Sequence, residues 1–277
     1  MVIDGKQLAN EIIEELKPER KKIAKKIRLA VVLVGDDSSS LSFIKQKEKV
    51  AQELDIDFRL YQYPETIKTK ELRSKVSQIS RVTYNRGIVV QLPLPKHITS
   101  QVVLNAILPA KDPDVLCERN LGSFYVNRLE ILPPVVATIE FLLKKYQIPV
   151  EGKTVLMIGR GQLVGKPSAL WFINSRATVT VANSQTKNLK ELIKTADIIV
   201  TSAGQPNLIT GEMVKTGSVI FDASVVSENG KLVGDCNINS LKDKVSLITP
   251  VPGGIGPLTV AFLFQNLITL IKQQKTI

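Results

Sequence analysis

The sequence predicts an α/β fold with parallel sheets, arranged as two α/β domains that flank a cleft. Apolar runs of strand length alternate with stretches of helix length along most of the 277 residues. The alternation occurs in two separate series, and the second begins at Glu151. Because a helix between two strands is the usual parallel crossover, two such series indicate two parallel sheets in one chain.

The first series opens with a helix over residues 6–27, where Leu8, Ile12 and Leu16 share one face. The continuous apolar run at 29–35 predicts a buried parallel strand. The serines at 38–40 predict an N-cap for a helix that continues to Leu54. The remaining elements of this series are helices over 69–80, 101–107 and 138–146, and strands over 57–63 and 87–95, the last of which breaks at Pro93.

The second series has the same alternation and is separated from the first near residues 133–151. Its predicted strands are 153–159, 177–184, 197–204 and 217–224, and its predicted helices are 168–175, 188–196 and 259–274.

Composition excludes several classes of protein and of site. No apolar run was identified with the roughly 20 residues of a membrane span, and the N-terminus is too polar for a signal peptide, so a cytoplasmic protein is expected. The single histidine, His97, and the two cysteines cannot supply a histidine-based or zinc site, so no metal is expected. The net charge of +11 could indicate a nucleic-acid binder, but the sequence has no arginine-rich arm or aromatic stacking platform. A site for small polyanions explains the charge equally well.

A glycine-rich turn, GRGQLVG at 159–165, follows one predicted strand and precedes a helix. This context is typical of a dinucleotide site, because glycines let the backbone approach the pyrophosphate and the helix N-terminus presents free N–H groups. The spacing is one residue longer than the common fingerprint, and a purely structural turn is the alternative. The second sheet is therefore predicted to be Rossmann-like.

NADP is favoured over NAD by the next strand and by one arginine. Asn183 and Ser184 stand near the place where NAD-binding proteins carry an acidic residue for the ribose hydroxyls. Arg160 is suited to a 2′-phosphate, unless it is only a surface residue. The residues expected to bind the cofactor are Gly159, Arg160, Gly161, Gly165, Ser184 and Thr186.

Four further stretches occur in a recognisable order: GIVVQLPLP at 87–95, LPAKDPD at 108–114, LVGKP at 163–167 and ITPVPGGIGPLTV at 248–260. Together they resemble the bifunctional methylenetetrahydrofolate dehydrogenase/methenyltetrahydrofolate cyclohydrolase family, and the resemblance extends over nearly the whole chain. It implies NADP-dependent oxidation of methylenetetrahydrofolate, hydrolysis to formyltetrahydrofolate, folate substrates that include polyglutamylated forms, and a homodimer.

The resemblance also implies roles for individual residues. The family motif Tyr-x-x-x-Lys-x-Lys falls on Phe43, Lys47 and Lys49, which makes Lys47 the catalytic amine, with Lys45 and Lys49 solvated. Gln91 is expected to hydrogen-bond this lysine or the substrate, and Asp114 to bind the pterin-like ring. The implied catalytic residues are Lys47, Gln91 and Asp114, and the implied substrate-binding residues are Phe43, Gln91, Asp114, Pro252, Gly253 and Gly254.

The chain departs from the family pattern at several of these motifs. The positions concerned are Phe43 for tyrosine, Val115 for glycine, Val135 in a proline-rich motif, Asn183 for histidine and Ser224 for glycine. The lost hydroxyl at Phe43 predicts dehydrogenase activity with weakened cyclohydrolase. Two alternatives stay open: a non-catalytic paralogue that binds NADP or folate, and a shikimate-type NADP dehydrogenase. The expected domains are residues 1–138 with 258–277 for folate and catalysis, and 139–257 for NADP.

Overall fold

The computed structural model describes residues 1–23, 26–228 and 231–273. The chain forms two compact units. The five-stranded unit consists of Met1–Ala9 and Val135–Thr259, and the three-stranded unit of Asn10–Pro134 and Val260–Ile277. The predicted helical residues 24–25 and 274, and the end of the predicted first domain at 277, lie outside the described residues. The α/β class, the parallel sheets and the two-part organisation are confirmed.

The three-stranded unit is built on β1 (Arg28–Val34), which pairs in parallel with β2 (Asp57–Tyr63) on one side and β3 (Asn85–Val90) on the other. The side chains of β1 are buried from Leu29 onward, as its continuous apolar run predicts. The chain order reverses at β1, so the carboxyl ends of β1 and β3 form the switch point at which α/β sheets bind ligands. The helices that lie wholly or partly in this unit are α1 (Gly5–Lys21), α2 (Ser38–Glu53), α3 (Thr69–Arg81), α4 (Ser100–Leu104), α5 (Glu118–Tyr125) and α10 (Ile255–Gln273).

The sheet of the five-stranded unit is also fully parallel and has the order β10, β7, β6, β4, β5. Its switch point is β4, which pairs with β5 on one side and β6 on the other. An antiparallel hairpin of β8 and β9 lies outside this sheet. The strands are β4 (Thr154–Ile158), β5 (Thr178–Ala182), β6 (Ile198–Thr201), β7 (Val219–Asp222), β8 (Val226–Glu228), β9 (Lys231–Val233) and β10 (Leu247–Ile248), and the helices are α6 (Pro134–Lys145), α7 (Gly165–Asn174), α8 (Leu189–Thr195) and α9 (Ile238–Leu241).

Three local predictions need correction. The N-cap of α2 is Asp37, whose carboxylate accepts the Ser40 backbone N–H at 2.8 Å, so the serines at 38–40 form the first turn of the helix. Strand β3 ends at Val90, because the following residues leave the ladder before Pro93. Helices α5 and α9, strand β10 and the β8–β9 hairpin were not predicted, since none of them has a long periodic apolar pattern.

Helix α10 is an apolar core helix of 19 residues. By length and composition alone it would suffice to cross a membrane, but 67% of its most apolar window is buried inside the protein. A Cβ atom on Gly87 would lie only 2.6 Å from Leu267 Cδ1, which shows how closely α10 approaches β3. The buried amide of Asn266 donates to the carbonyls of Pro113 at 2.9 Å and Leu132 at 2.8 Å. The helix thus fixes two loops of the three-stranded unit.

Candidate active site

Lys47 belongs to the buried stripe of α2 and not to its solvated face. The buried positions Ser40, Ile44, Lys47, Ala51 and Leu54 recur at intervals of three and four residues. The lysine is only 8% exposed, so a charged group occupies a core-facing position. Burial lowers the pKa of the Lys47 ammonium, although the Asp114 carboxylate acts in the opposite direction.

The amine of Lys47 has one side-chain partner from the end of β3. Its Nζ donates to Gln91 Oε1 at 2.7 Å, and both groups are buried. Gln91 is itself fixed, because its backbone N–H donates to Val32 O at 2.9 Å and its Nε2 to Leu92 O at 3.0 Å. The predicted contact between Gln91 and the lysine is therefore present, and it lies at the switch point of the three-stranded sheet.

Asp114 is half-buried and electrostatically coupled to Lys47. Burial raises the pKa of Asp114 to about 6, and the neighbouring Asp112 carboxylate adds to the rise, while the Lys47 ammonium opposes it. A raised carboxyl pKa beside a lowered amine pKa is the arrangement in which protons exchange near neutral pH.

The loop that carries Asp114 is held by Asp112. The fully buried Asp112 Oδ2 accepts the backbone N–H groups of Leu116 and Cys117, each at 2.9 Å, and Asn120 Nδ2 at 3.1 Å. Val115, which lies between Asp112 and Leu116, has a φ of +59°, a conformation that a β-branched residue rarely adopts. This backbone favours glycine, the residue that the resemblance implies at this position.

The remaining residues of the α2 motif differ in exposure. Phe43, one turn before Lys47, is half-buried and offers a ring face without a hydroxyl. Lys45 and Lys49 are exposed, and Lys49 lies 3.8 Å from Glu53 in a surface ion pair. The expectation of a solvated pair of lysines around one buried amine agrees with the structure.

In the five-stranded unit, the glycine turn begins where β4 ends, at the switch point of the sheet. Gly159 has a φ of +108°, and a Cβ atom there would lie 2.7 Å from Ser202 Oγ. A Cβ on Gly165 would lie 2.2 Å from Gly159 O, whereas one on Gly161 would meet nothing within 4 Å. The first and last glycines therefore close the turn, and Gly161 leaves open space for a ligand to approach.

The other residues expected to bind the cofactor surround this turn or follow β5. Arg160 and Ser184 are exposed. Thr186 is half-buried, and its hydroxyl accepts the Asn183 N–H at 3.0 Å. Thr186 thus shapes the turn after β5, a role that the sequence alone did not indicate.

The proline-glycine loop packs tightly within the five-stranded unit. Pro252 is exposed and Gly253 has a φ of +99°. A Cβ on Gly254 would lie 2.5 Å from Pro250 O, and one on Gly5 would lie 2.0 Å from Gly254 O. Gly254 is therefore required by contacts within the protein, in addition to any approach to a ligand.

Sequence reasoning did not single out Asp235, a fully buried carboxylate after β9. It accepts hydrogen bonds from Thr201 and from two backbone N–H groups of the loop after β6. The one available signal was an aspartate between two short apolar stretches. Among the described residues no group of three or more His, Cys, Asp or Glu side chains could hold a metal ion.

Two family models match the chain. Residues 3–114 match the catalytic domain of tetrahydrofolate dehydrogenase/cyclohydrolase, and residues 133–275 match its NAD(P)-binding domain. The bifunctional protein FolD of Clostridium perfringens is 41% identical over 268 residues, with 96% of this chain and 97% of the relative covered.

Solved structures give the same result. The bifunctional FolD methylenetetrahydrofolate dehydrogenase/cyclohydrolase of Campylobacter jejuni superimposes with a TM-score of 0.93 at 36% identity, covering 99% of both chains. The Trypanosoma brucei enzyme, solved with NADP cofactor and an inhibitor, has a TM-score of 0.93 at 32% identity, covering 99% of this chain and 98% of its own.

The shikimate-type alternative is supported only at the level of the fold. The Thermus thermophilus shikimate 5-dehydrogenase has a TM-score of 0.53 at 13% identity. Full-length identity near 40% and both matching domain models decide between the two families. The chain belongs to the tetrahydrofolate dehydrogenase/cyclohydrolase family.

Proposed function

We infer that this protein oxidises methylenetetrahydrofolate to methenyltetrahydrofolate with NADP, and that it hydrolyses the methenyl product to formyltetrahydrofolate more slowly. The buried Lys47 amine, hydrogen-bonded to Gln91 and coupled to Asp114, is the observation that carries this inference. Solvated lysines have no such partners, and no observation favours a non-catalytic paralogue.

Each residue that is proposed to bind or convert the folate substrate has a distinct role. Phe43 stacks on the pterin ring, and Asp114 binds the face of the ring where an amino group and a ring N–H point outward together. Lys47 handles protons while water adds to the methenyl carbon and the ring opens, because its lowered pKa leaves more of the amine unprotonated near neutral pH. Gln91 Oε1 orients the amine. Pro252, Gly253 and Gly254 are proposed to contact the substrate through their backbone.

The five-stranded unit fits NADP. The bound cofactor supplies the acceptor for the hydride that leaves the methylene carbon. The open space at Gly161 and the N-terminus of α7 suit the pyrophosphate, with Gly159 and Gly165 closing the turn. The exposed Arg160 and Ser184 and the half-buried Thr186 suit the 2′-phosphate end of the molecule, since Asn183 and Ser184 follow β5 in place of an acidic residue.

The domain boundaries, oligomeric state and location are proposed on the same basis. Residues 1–138 with 258–277 are proposed to bind folate, and 139–257 to bind NADP. A homodimer is supported by the edge strand β5, near which Val181 and Ile173 are 45% and 57% exposed. The two unbridged cysteines suit the reducing cytoplasm, and the net charge of +11 suits acidic polyglutamate tails.

The first test follows NADPH absorbance with methylenetetrahydrofolate as substrate. An enzyme gives continuous NADPH production, whereas a binding paralogue gives none and would refute the proposed activity. Hydrolysis of methenyltetrahydrofolate is recorded separately against its spontaneous rate in the same buffer. Light scattering coupled to size-exclusion chromatography gives the molar mass and so determines whether the protein is a dimer.

Cofactor choice is tested with Arg160→Ala. Loss of a charge-assisted phosphate contact costs about 1.5–3 kcal/mol, so NADP should bind roughly ten- to a hundredfold more weakly while NAD binding stays the same. The control is Arg176→Ala, an exposed arginine of the same unit that pairs with Glu151. If wild type and Arg160→Ala have the same ratio of NADP affinity to NAD affinity, Arg160 does not bind the 2′-phosphate.

A further inference from the structure

The carboxylate of Asp235 gathers three hydrogen bonds from one short segment. Its Oδ2 accepts Thr201 Oγ1 at 2.5 Å and the Ala203 N–H at 2.7 Å, and its Oδ1 accepts the Gln205 N–H at 2.8 Å. The side chain is fully buried. Both oxygens are therefore committed to residues 201–205, at the carboxyl end of β6.

Residues 202–205, here called the β6 loop, lie directly against the glycine turn. The Ser202 N–H donates to Ile158 O at 2.8 Å, which joins the loop to the last residue of β4. A Cβ on Gly159 would lie 2.7 Å from Ser202 Oγ and 2.8 Å from Ser202 O, so the loop leaves no room between itself and the turn. A displacement of Ser202 would change the shape of the turn that receives the pyrophosphate.

A second contact anchors the same loop from the end of β7. The Gly204 N–H donates to Ser224 Oγ at 3.2 Å, at a position where the resemblance implies glycine. Ser224 itself donates its backbone N–H to Asp222 Oδ1 at 3.0 Å. The Ser224 hydroxyl thus gives the β6 loop a hydrogen bond in addition to those from Asp235.

We propose that Asp235 is a positioning residue for NADP binding, which fixes the β6 loop as the rigid wall of the glycine turn. The inference rests on the proposed function, because it assigns a supporting residue to the same cofactor site. No uncharged side chain of the same size can replace it: asparagine offers one oxygen and an N–H₂ group, so at least one donor of the loop would face another donor. The turn would then lose its fixed wall, and NADP would have to order it on binding.

The experiment measures the dissociation constant of NADPH by fluorescence titration for wild type, Asp235→Asn and Thr201→Val. Asp235→Asn should bind NADPH at least about tenfold more weakly, with the KM for methylenetetrahydrofolate at saturating NADP within about twofold of wild type. Thr201→Val preserves shape and removes a single donor, so a weakening of about threefold is expected. Because both variants affect one network, their effects in the double variant should be less than additive in free energy.

Asp197→Asn is the matched control. Asp197 accepts the Thr154 N–H at 3.0 Å and pairs with Lys215 at 2.6 Å. Like Asp235 it holds the end of a strand, but it lies at the amino ends of β4 and β6, opposite the glycine turn. Asp197→Asn should lower stability and leave NADPH affinity within about twofold of wild type.

Three results would decide against the proposal. Wild-type NADPH affinity in Asp235→Asn would overturn it, as would an equal loss of affinity in Asp197→Asn. If Asp235→Asn does not fold, unchanged affinity in Thr201→Val would overturn it instead. Failure of the wild-type protein to bind NADPH would be a different outcome, since it would refute the proposed function itself.

Discussion

Lys47 and Lys45 are two residues apart on α2 but occupy opposite environments. Lys47 is buried with Gln91 as its partner, whereas Lys45 is exposed. The charge pattern of this segment does not separate them. The three- and four-residue spacing of buried positions does, because it includes position 47 and excludes position 45.

The pair supplies a controlled test of the proposed catalytic amine. Lys47→Met should reduce methenyltetrahydrofolate hydrolysis by at least about a hundredfold, since it removes the amine that donates to Gln91. Lys45→Met should change the free energy of unfolding by less than about 0.5 kcal/mol and leave hydrolysis intact. The hydrolysis rates and urea unfolding curves of both variants provide the measurement. Full activity in Lys47→Met would return this lysine to a structural role.

Phe43 is the departure with the clearest chemical consequence. A phenylalanine keeps the ring that is proposed to stack on the pterin and lacks a hydroxyl that could donate to or accept from water and the lysine. Phe43→Tyr should therefore accelerate hydrolysis by about ten- to a hundredfold, while the dehydrogenase rate changes by less than about threefold. Wild-type hydrolysis as fast as its dehydrogenase step would show instead that another group replaces the hydroxyl. The buried Val115 limits the rescue if its side chain occupies the space that the hydroxyl needs.

At the scale of single elements, α3 shows how a second buried lysine can serve structure alone. Lys111 Nζ donates to Ser80 O at 2.8 Å and to Val82 O at 2.9 Å, which satisfies carbonyl groups at the end of the helix. Burial lowers the pKa of Lys111, with a smaller contribution in the same direction from Arg86. Lys111 has backbone carbonyls as its partners, whereas Lys47 has a side-chain amide.

Lys111→Met should accordingly reduce stability without a specific effect on chemistry. Two carbonyl oxygens lose their donors while the side-chain volume is kept, so the free energy of unfolding should fall by about 1–3 kcal/mol. The comparison is Lys70→Met, an exposed lysine on α3 itself, with an expected change below about 0.5 kcal/mol. Chemical denaturation of both variants measures the difference. Equal stability of the two would mean that water replaces the lysine at the helix end.

At the scale of the molecule, buried carboxylates influence how stability depends on pH. Burial is the main reason that the pKa of Asp222 rises from 3.8 to about 6, and the neighbouring Asp235 carboxylate contributes. A carboxyl group with a higher pKa in the folded state holds its proton more tightly when folded. Its contribution is therefore fully present below pH 4 and is lost as the pH rises through about 6.

Asp222→Asn removes this titration. The difference in unfolding free energy between wild type and Asp222→Asn should narrow by on the order of 2 kcal/mol between pH 4 and pH 7. Asp197→Asn should change the unfolding free energy with the opposite pH dependence. The Lys215 hydrogen bond lowers the pKa of Asp197, so the contribution of Asp197 to stability is largest at high pH. Unfolding curves at several pH values measure both differences. A constant difference for Asp222→Asn would mean that its carboxyl group titrates normally.

The elements that were predicted from sequence are those with a strong local pattern. The predicted strand at 57–63 coincides with β2, and the continuous apolar run at 29–35 corresponds to β1. Long-range contacts were not predictable in this way. Val2 pairs with Ile248, so Met1–Ala9 joins the five-stranded unit, although the segment adjoins the other unit in sequence.

The same distinction applies to the candidate site. Lys47 and Gln91 were identified from the resemblance to the family, and the glycine turn from its place between a predicted strand and a predicted helix. The positive φ of Val115 and the three bonds to Asp235 depend on backbone geometry between segments that sequence spacing does not reveal. Residues that act directly are thus easier to predict than residues that hold them.

The place of α10 in the three-stranded unit has a consequence during protein synthesis. Leu267 fits against Gly87, and Asn266 holds the carbonyl next to Asp114, but both belong to a helix made after the whole five-stranded sheet. A ribosome adds about 5–20 residues each second, so the earlier segment waits several seconds for the helix that completes its core. During that interval, the nascent chain exposes the apolar surface that α10 later covers, and exposed apolar surface of this kind favours aggregation.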